Sequence, residues 1–148
     1  MAYKSNFQDI TEYLIRFCNK ININGEIGRS VFLYATENAH ISTIEYLIES
    51  GIYIDAQNSN NETALMIAAK NGQLSILKYL IQNNANVCIK DCNGSNALIT
   101  ASEKGYINII EFLLEKGINI NDKNYLGQNA LMVASQNDHV EVVEYLIE

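Results

Sequence analysis

The fold is decided by residues 58–90, which read NSNNETALMIAAKNGQLSILKYLIQNNANVCIK. Residues 91–123, DCNGSNALITASEKGYINIIEFLLEKGININD followed by Lys123, repeat the pattern with the same length of 33 residues. A fixed period of this kind indicates an architecture of stacked repeats. At this spacing the rest of the chain aligns as well, with an apolar pair at one position and an alanine at another. The apolar pairs are Leu14-Ile15, Leu47-Ile48, Leu80-Ile81, Leu113-Leu114 and Leu146-Ile147, and the alanines are Ala35, Ala68, Ala101 and Ala134.

Each 33-residue row contains two segments with helical periodicity. Residues 63–71 carry apolar side chains at positions i, i+3 and i+4, which predicts a short helix. Gly72 ends this helix, and residues 74–82 place an apolar face on a second helix that should pack antiparallel to the first. Residues 83–94 alternate apolar and polar side chains and finish in turn formers. Each row is therefore predicted to form a helix, a turn, a second helix and a hairpin-like loop.

Glycine and asparagine share three other positions of the period. Both residue types tolerate a positive φ, so these positions are predicted to be turns and helix ends. The first set is Gly28, Asn61, Gly94 and Gly127, the second is Gly72 and Gly105, and the third is Gly51, Asn84 and Gly117.

This pattern resembles the ankyrin repeat, a 33-residue unit of a β-turn and two helices. The resemblance covers the chain from Phe7 to Glu148. It implies an all-α fold, in which helix-turn-helix units joined by β-hairpin-like loops stack into an α-solenoid. The matching residues of the third row are Asp91, Gly94, Leu98, Ala101, Gly105, Ile109-Ile110, Leu113-Leu114, Gly117 and Ile120-Asn121, and those of the second are Thr63, Leu65, Ala68-Ala69, Gly72, Leu80-Ile81 and Ala85.

One ankyrin-repeat domain is expected to span residues 1–148. We predict an N-terminal partial repeat over residues 1–24, full repeats over residues 25–57, 58–90 and 91–123, and an incomplete repeat over residues 124–148. The last row has the apolar residues of an internal row rather than a polar cap. We therefore expect either further repeats beyond Glu148, or self-association or partner docking through this end.

Composition excludes several classes of protein. With 148 residues and 48% hydrophobic side chains, the chain fits one compact domain and is too apolar to be disordered. No apolar run approaches the roughly 18 residues of a membrane span, and the first six residues lack the basic-then-apolar pattern of a signal peptide. A net charge of −7 opposes binding to nucleic acid. Three cysteines suit a reducing compartment, so we expect a soluble, intracellular, cytoplasmic protein.

The sequence offers little for catalysis or metal binding. His40 and His139 lie three periods apart, too far to share a site, and no phosphate-binding or zinc-protease motif occurs. Cys88 and Cys92 form a C-x3-C pair, but no second ligand pair follows to complete a tetrahedral zinc site. We predict no enzymatic activity, no metal and no cofactor.

In a stacked array, function resides in residues that the stacking does not need. The family resemblance implies that protein partners bind at the hairpin tips and at the exposed face of the inner helices. The predicted tips are Glu26-Ile27, Ser59-Asn60, Cys92-Asn93 and Tyr125-Leu126, with Arg29 beside the first tip and Lys70, Glu103 and Lys104 at the inner-helix ends.

Tyr125 and Leu126 stand out among these residues. Apolar side chains on a projecting turn do not help the local fold, and aromatic anchors are enriched in binding hot spots. The alternative is that they pack on a neighbouring hairpin. The predicted function is a non-catalytic protein–protein interaction module. The alternative function is a structural or regulatory fragment of a longer protein whose activity lies outside this segment.

Overall fold

The computed structural model describes residues 22–147, so most of the predicted partial repeat over residues 1–24 lies outside the described residues. Within the described part, the chain forms eight α-helices in four antiparallel pairs, and it forms no strand beyond one isolated bridge between Gln57 and Thr63. This confirms the prediction of an all-helical solenoid. The helices are α1 (Glu26–Glu37), α2 (Ile41–Glu49), α3 (Ala64–Lys70), α4 (Leu74–Gln82), α5 (Ala97–Lys104), α6 (Ile107–Glu115), α7 (Ala130–Gln136) and α8 (Val140–Ile147).

The inner helices α1, α3, α5 and α7 stack directly on one another, and each also packs on the outer helix of its own row. The alanine at the same position of each inner helix is buried, and its small side chain lets the backbones approach closely. The outer helices touch one another much less. Because the rows are closer on the inner side, the inner helices line the concave face of the stack.

The apolar period becomes one continuous core. Leu47, Leu80 and Leu113 of the outer helices are fully buried, and all three belong to the same hydrophobic cluster as the inner-helix residues Phe32 and Leu98. Burying a side chain of this size contributes about 1.5–3 kcal/mol. The repeated burial therefore holds neighbouring rows together.

The inner helices of the last three rows begin with a side-chain cap. The side-chain oxygen of Thr63, Asn96 or Asn129 accepts a hydrogen bond from the backbone N–H three residues later, at 3.0–3.3 Å. Asn96 makes a second contact, because its fully buried side-chain amide donates to Asp122 Oδ2 at 2.9 Å. This bond joins the third row to the loop that leads into the fourth.

The predicted turn positions after Gly28 have the expected backbone conformation. Asn61 adopts φ of +59° where Gly94 and Gly127 also have positive φ, and Asn84 adopts φ of +68° where Gly51 and Gly117 do. Gly72 and Gly105, which were predicted to end helices, also have positive φ, of +72° and +78°. Both asparagines thus take the place of glycine in left-handed turns, as the alignment predicts.

Two of these glycines also make room for a side chain of the next row. The ring of Tyr106 lies against Gly72, and the ring of His139 lies against Gly105, so that a Cβ at either glycine would come within 2.8 Å or 2.6 Å of the ring. His139 Nε2 lies 2.8 Å from the carbonyl oxygen of Glu103, which fixes the ring in place. In both places a ring of one row packs against the end of the inner helix of the row before it.

The loops between rows end in tight turns organised by one side chain each. Asn58 Oδ1 accepts hydrogen bonds from the backbone N–H groups of Asn60 and Glu62, both at 2.9 Å. Asp91 and Asn124, one and two periods later, make the equivalent pairs of bonds. A side-chain oxygen at this position is therefore what closes each hairpin.

The first row departs from the prediction at this point. Glu26 and Ile27 were expected at a hairpin tip, but they lie in the first turn of α1, and so the predicted tip is wrong. The position that carries Asn58 in the second row is Gly25, which has no side chain to organise the turn. Gly28, expected in a turn, is buried in α1, where a Cβ would overlap the Ile23 carbonyl.

Candidate protein-binding surface

The three remaining predicted tips lie at the projecting turns. In each turn the last residue donates its N–H to the carbonyl of the first at 3.0 Å, which closes residues 58–61, 91–94 and 124–127 into β-turns. The two central residues are exposed in every case. These central pairs are Ser59-Asn60, Cys92-Asn93 and Tyr125-Leu126.

Adjacent tips are joined by backbone hydrogen bonds. The Cys92 N–H donates to the Asn60 carbonyl at 2.9 Å, and the Tyr125 N–H donates to the Asn93 carbonyl at the same distance. We call this series of turn-to-turn bonds the hairpin ladder. It aligns the three tips along one edge of the concave face.

Tyr125 and Leu126 differ in how free they are. One edge of the Tyr125 ring lies against Gly94, where a Cβ would approach the ring to 2.6 Å, yet 76% of Tyr125 is exposed. Leu126 is 82% exposed and is absent from the hydrophobic cluster. Tyr125 therefore combines packing on a neighbouring hairpin with an exposed face, while Leu126 is exposed throughout.

The predicted inner-helix residues lie at the ends of α3 and α5. Lys70 Nζ contacts Glu62 Oε1 at 3.0 Å, across the concave face from the end of α3 to the hairpin. Lys104 Nζ contacts Glu103 Oε1 of its chain neighbour at 2.8 Å. Two of the cations named from the sequence are thus already paired with carboxylates.

A cleft of about 580 Å³ opens on the concave face between α1 and the hairpin of the second row. We call it the α1 cleft. Leu33 and Ile67 are buried at its base, and Tyr34 is 48% exposed. The predicted residues Glu26, Arg29 and Ser59 also lie there. The full lining is Glu26, Arg29, Ser30, Leu33, Tyr34, Glu37, Gln57, Asn58, Ser59 and Ile67.

A family model described as ankyrin repeats (3 copies) matches residues 1–91, 50–124 and 88–148. The chain belongs to the ankyrin-repeat family. Ankyrin repeats are generally protein–protein interaction modules. Comparison with curated proteins found no significant match.

The described residues also bear on the predictions about metal binding and membrane spans. Both Cys88 and Cys92 are free and exposed. Within residues 22–147, no group of three or more histidine, cysteine, aspartate or glutamate side chains is close enough to hold a metal ion. None of the helices in that range combines the length and the apolar character needed to cross a membrane.

Sequence reasoning missed Tyr34 and the α1 cleft. Tyr34 occupies a position that carries Ile67, Thr100 and Val133 in the later ankyrin repeats, all of them less exposed. A large aromatic side chain at a position where the other rows carry smaller residues could have indicated that the surface differs in the first row. The cleft itself could not be seen, because it depends on the missing first hairpin.

The pKa values of the Glu62–Lys70 pair shift in opposite directions. Partial burial raises the pKa of Glu62, but hydrogen bonds from Asn58 and Lys70 and the charge of Lys70 together lower it below its ordinary value of 4.5. The hydrogen bond and charge of Glu62 raise the pKa of Lys70 above its ordinary value of 10.5. The charged form of each side chain is therefore favoured by folding.

We expect the Glu62→Gln variant to be less stable than the native chain at neutral pH but equally stable in acid. A lowered carboxyl pKa contributes stability above about pH 4.5, and that contribution disappears as pH falls through the folded-state pKa. Because Lys70 is half-exposed, the loss in free energy of unfolding at pH 7 should be only about 0.5–1 kcal/mol. Urea unfolding at pH 7 and pH 3 tests this, and a loss of the same size at both values would contradict it.

Glu103→Gln is the matched control for this measurement. It removes a carboxylate that also contacts a lysine, but both side chains are exposed and adjacent in sequence. We expect a change of less than about 0.3 kcal/mol at either pH.

Proposed function

We propose that this ankyrin array is a non-catalytic module that binds a partner protein through its hairpin tips and the concave surface of its inner helices. The observation that carries the proposal is the exposure of Leu126 at the fourth-row tip, where 82% of an apolar side chain contacts solvent without contributing to the core. A partner that covers this side chain gains the free energy of its burial.

The other features of the surface support the same proposal. The hairpin ladder holds the tips in a fixed spatial order, so that a partner meets a preorganised surface and loses little free energy in ordering it. The net charge of −7 favours a protein partner over nucleic acid. We further propose an intracellular location, since the cysteines Cys88 and Cys92 are free thiols that suit a reducing compartment.

Capture from source-cell lysate by the immobilised native chain and by the Leu126→Ser variant tests the proposal. We expect a protein that the native chain captures and the variant captures at least about fivefold less, because a buried leucine contributes about 1.5–3 kcal/mol. Tyr125 is left unchanged in this variant, since its ring also packs on Gly94.

Ile41→Ser is the matched control, because it makes the same chemical change at a residue that is 50% exposed on the outer helix α2. Captured protein should be unchanged in this variant. Equal loss in both variants would indicate a general effect on stability or solubility. Undiminished capture by Leu126→Ser would remove the fourth-row tip from the binding surface.

A further inference from the structure

The hairpin ladder has an open position at Ser59. The residues at the equivalent turn position, Cys92 and Tyr125, donate their N–H groups to the preceding turn. The Ser59 N–H makes no hydrogen bond within residues 22–147, since the row before it enters α1 at Glu26 without forming a hairpin. An unpaired backbone N–H at the edge of such a ladder can donate a hydrogen bond to a carbonyl of an added extended segment.

The α1 cleft lies directly beside this donor, because Ser59 is one of its lining residues. One face of α1 forms the opposite wall. Glu26, Ser30, Tyr34 and Glu37 follow one another at steps of three or four residues, and so they share that face. The space is large enough for several side chains, and its base is apolar.

The charges of the cleft indicate which segment it fits. Glu26 and Glu37 contribute two carboxylates, and neither forms an ion pair within residues 22–147. Glu37 acts on Lys70 only from a longer distance, where its charge helps to raise the pKa of that lysine. The half-exposed ring of Tyr34 lies one helical turn from Glu37, a combination that favours a cation. Among the described residues of the lining, Arg29 is the one cation, and it also borders a neighbouring cleft that contains Asp55. The balance of charge in the α1 cleft is therefore negative.

We infer that the α1 cleft binds an extended segment of the partner protein that carries a lysine or arginine. A backbone carbonyl of the segment accepts the hydrogen bond of the Ser59 N–H, as the carbonyls of Asn60 and Asn93 do for the next two tips. The cationic side chain lies against Tyr34 and Glu37. This inference rests on the proposed function, since it names the chemistry of the partner.

Ser59→Pro removes the proposed donor while leaving the turn intact. Ser59 is the first central residue of the turn over residues 58–61, a position where the fixed φ of proline is favoured. Ser59→Ala is the matched control, because it loses the hydroxyl group but keeps the N–H. Circular dichroism and thermal unfolding of both variants should match those of the native chain.

The probe is a random decapeptide library displayed on phage and selected on the native chain. We expect the selected peptides to be enriched in lysine or arginine. By fluorescence anisotropy, labelled copies should bind Ser59→Ala as tightly as the native chain and Ser59→Pro about three- to tenfold more weakly, the effect of one hydrogen bond. Glu37→Gln should weaken binding about threefold and reduce its dependence on salt.

Three results would overturn the inference. They are the absence of any selected peptide, selection without enrichment of basic residues, and peptides that bind Ser59→Pro as tightly as Ser59→Ala. The proposed function is judged separately by capture from lysate. A protein whose capture requires Leu126 but is unaffected by Ser59→Pro would support the interaction module while rejecting the role of the α1 cleft.

Discussion

Replacing Gly105 with alanine is expected to lower the free energy of unfolding by about 2–4 kcal/mol. The alanine must adopt φ near +78°, and its Cβ would lie 2.6 Å from Nδ1 of His139. The ring cannot move away freely, because its Nε2 contacts the carbonyl oxygen of Glu103 at 2.8 Å. Strain in the backbone and displacement of the ring therefore add together. Equilibrium unfolding in urea measures the loss.

Gly117→Ala separates the two contributions. Gly117 has nearly the same φ, +81°, but a Cβ there meets no atom of the described residues within 4 Å. We expect a loss of about 1–2 kcal/mol, the cost of the left-handed conformation alone. If the two variants lost equal stability, the contact between Gly105 and His139 would not be present in solution.

Asn96→Ala is expected to cost about 2–3 kcal/mol. The change removes the cap of α5, a hydrogen bond from Ile99 N to Asn96 Oδ1 at 3.1 Å. It also removes the bond from the buried amide to Asp122 Oδ2 and leaves that carboxylate without this partner. Thermal and urea unfolding of the variant measure the combined effect.

Asn129→Ala provides the comparison, because Asn129 caps α7 through Met132 N at 3.0 Å and makes no second side-chain bond within the described residues. Its loss should be about 1 kcal/mol. A double-mutant cycle between Asn96 and Asp122 should give a coupling energy of about 1 kcal/mol. A coupling energy near zero would show that the bond between Asn96 and Asp122 adds nothing to stability.

The helix pairs and the turn positions could be predicted because they depend on local sequence. Asn61 and Asn84 were placed in left-handed turns by their alignment with glycine, and both adopt positive φ. The repeated alanine and leucine positions identified the core by periodicity alone. Where the conformation of a row depends only on its own residues, aligning the rows was sufficient to predict it.

The first row shows where this reasoning failed. Its apolar residues follow the period, which led to the prediction of a tip at Glu26 and Ile27. The hairpin instead depends on the side-chain oxygen that Asn58 supplies in the next row and Gly25 lacks. Comparing that one position across the rows would have revealed the difference.

Contacts between rows also could not be predicted from the sequence. The spacing identified Ser59 and Tyr125 as tip residues, and the structure places them at projecting turns. The Tyr125 N–H has a partner, and the Ser59 N–H has none within residues 22–147, because of which row lies beside which. The same holds for the α1 cleft, whose two walls come from different repeats.

The contact of a ring with the glycine of the preceding repeat constrains how this gene can change length. The equivalent positions are Ala39 with Gln73, Gly72 with Tyr106, and Gly105 with His139. In-frame loss of residues 40–72 or 73–105 would bring the Tyr106 ring onto the methyl group of Ala39. Loss of residues 106–138 would instead bring His139 onto Gly72, where no side chain stands in the way. Deletions of equal length therefore differ in their effect on the packing between repeats, and the order of the repeats affects whether a shortened chain can fold.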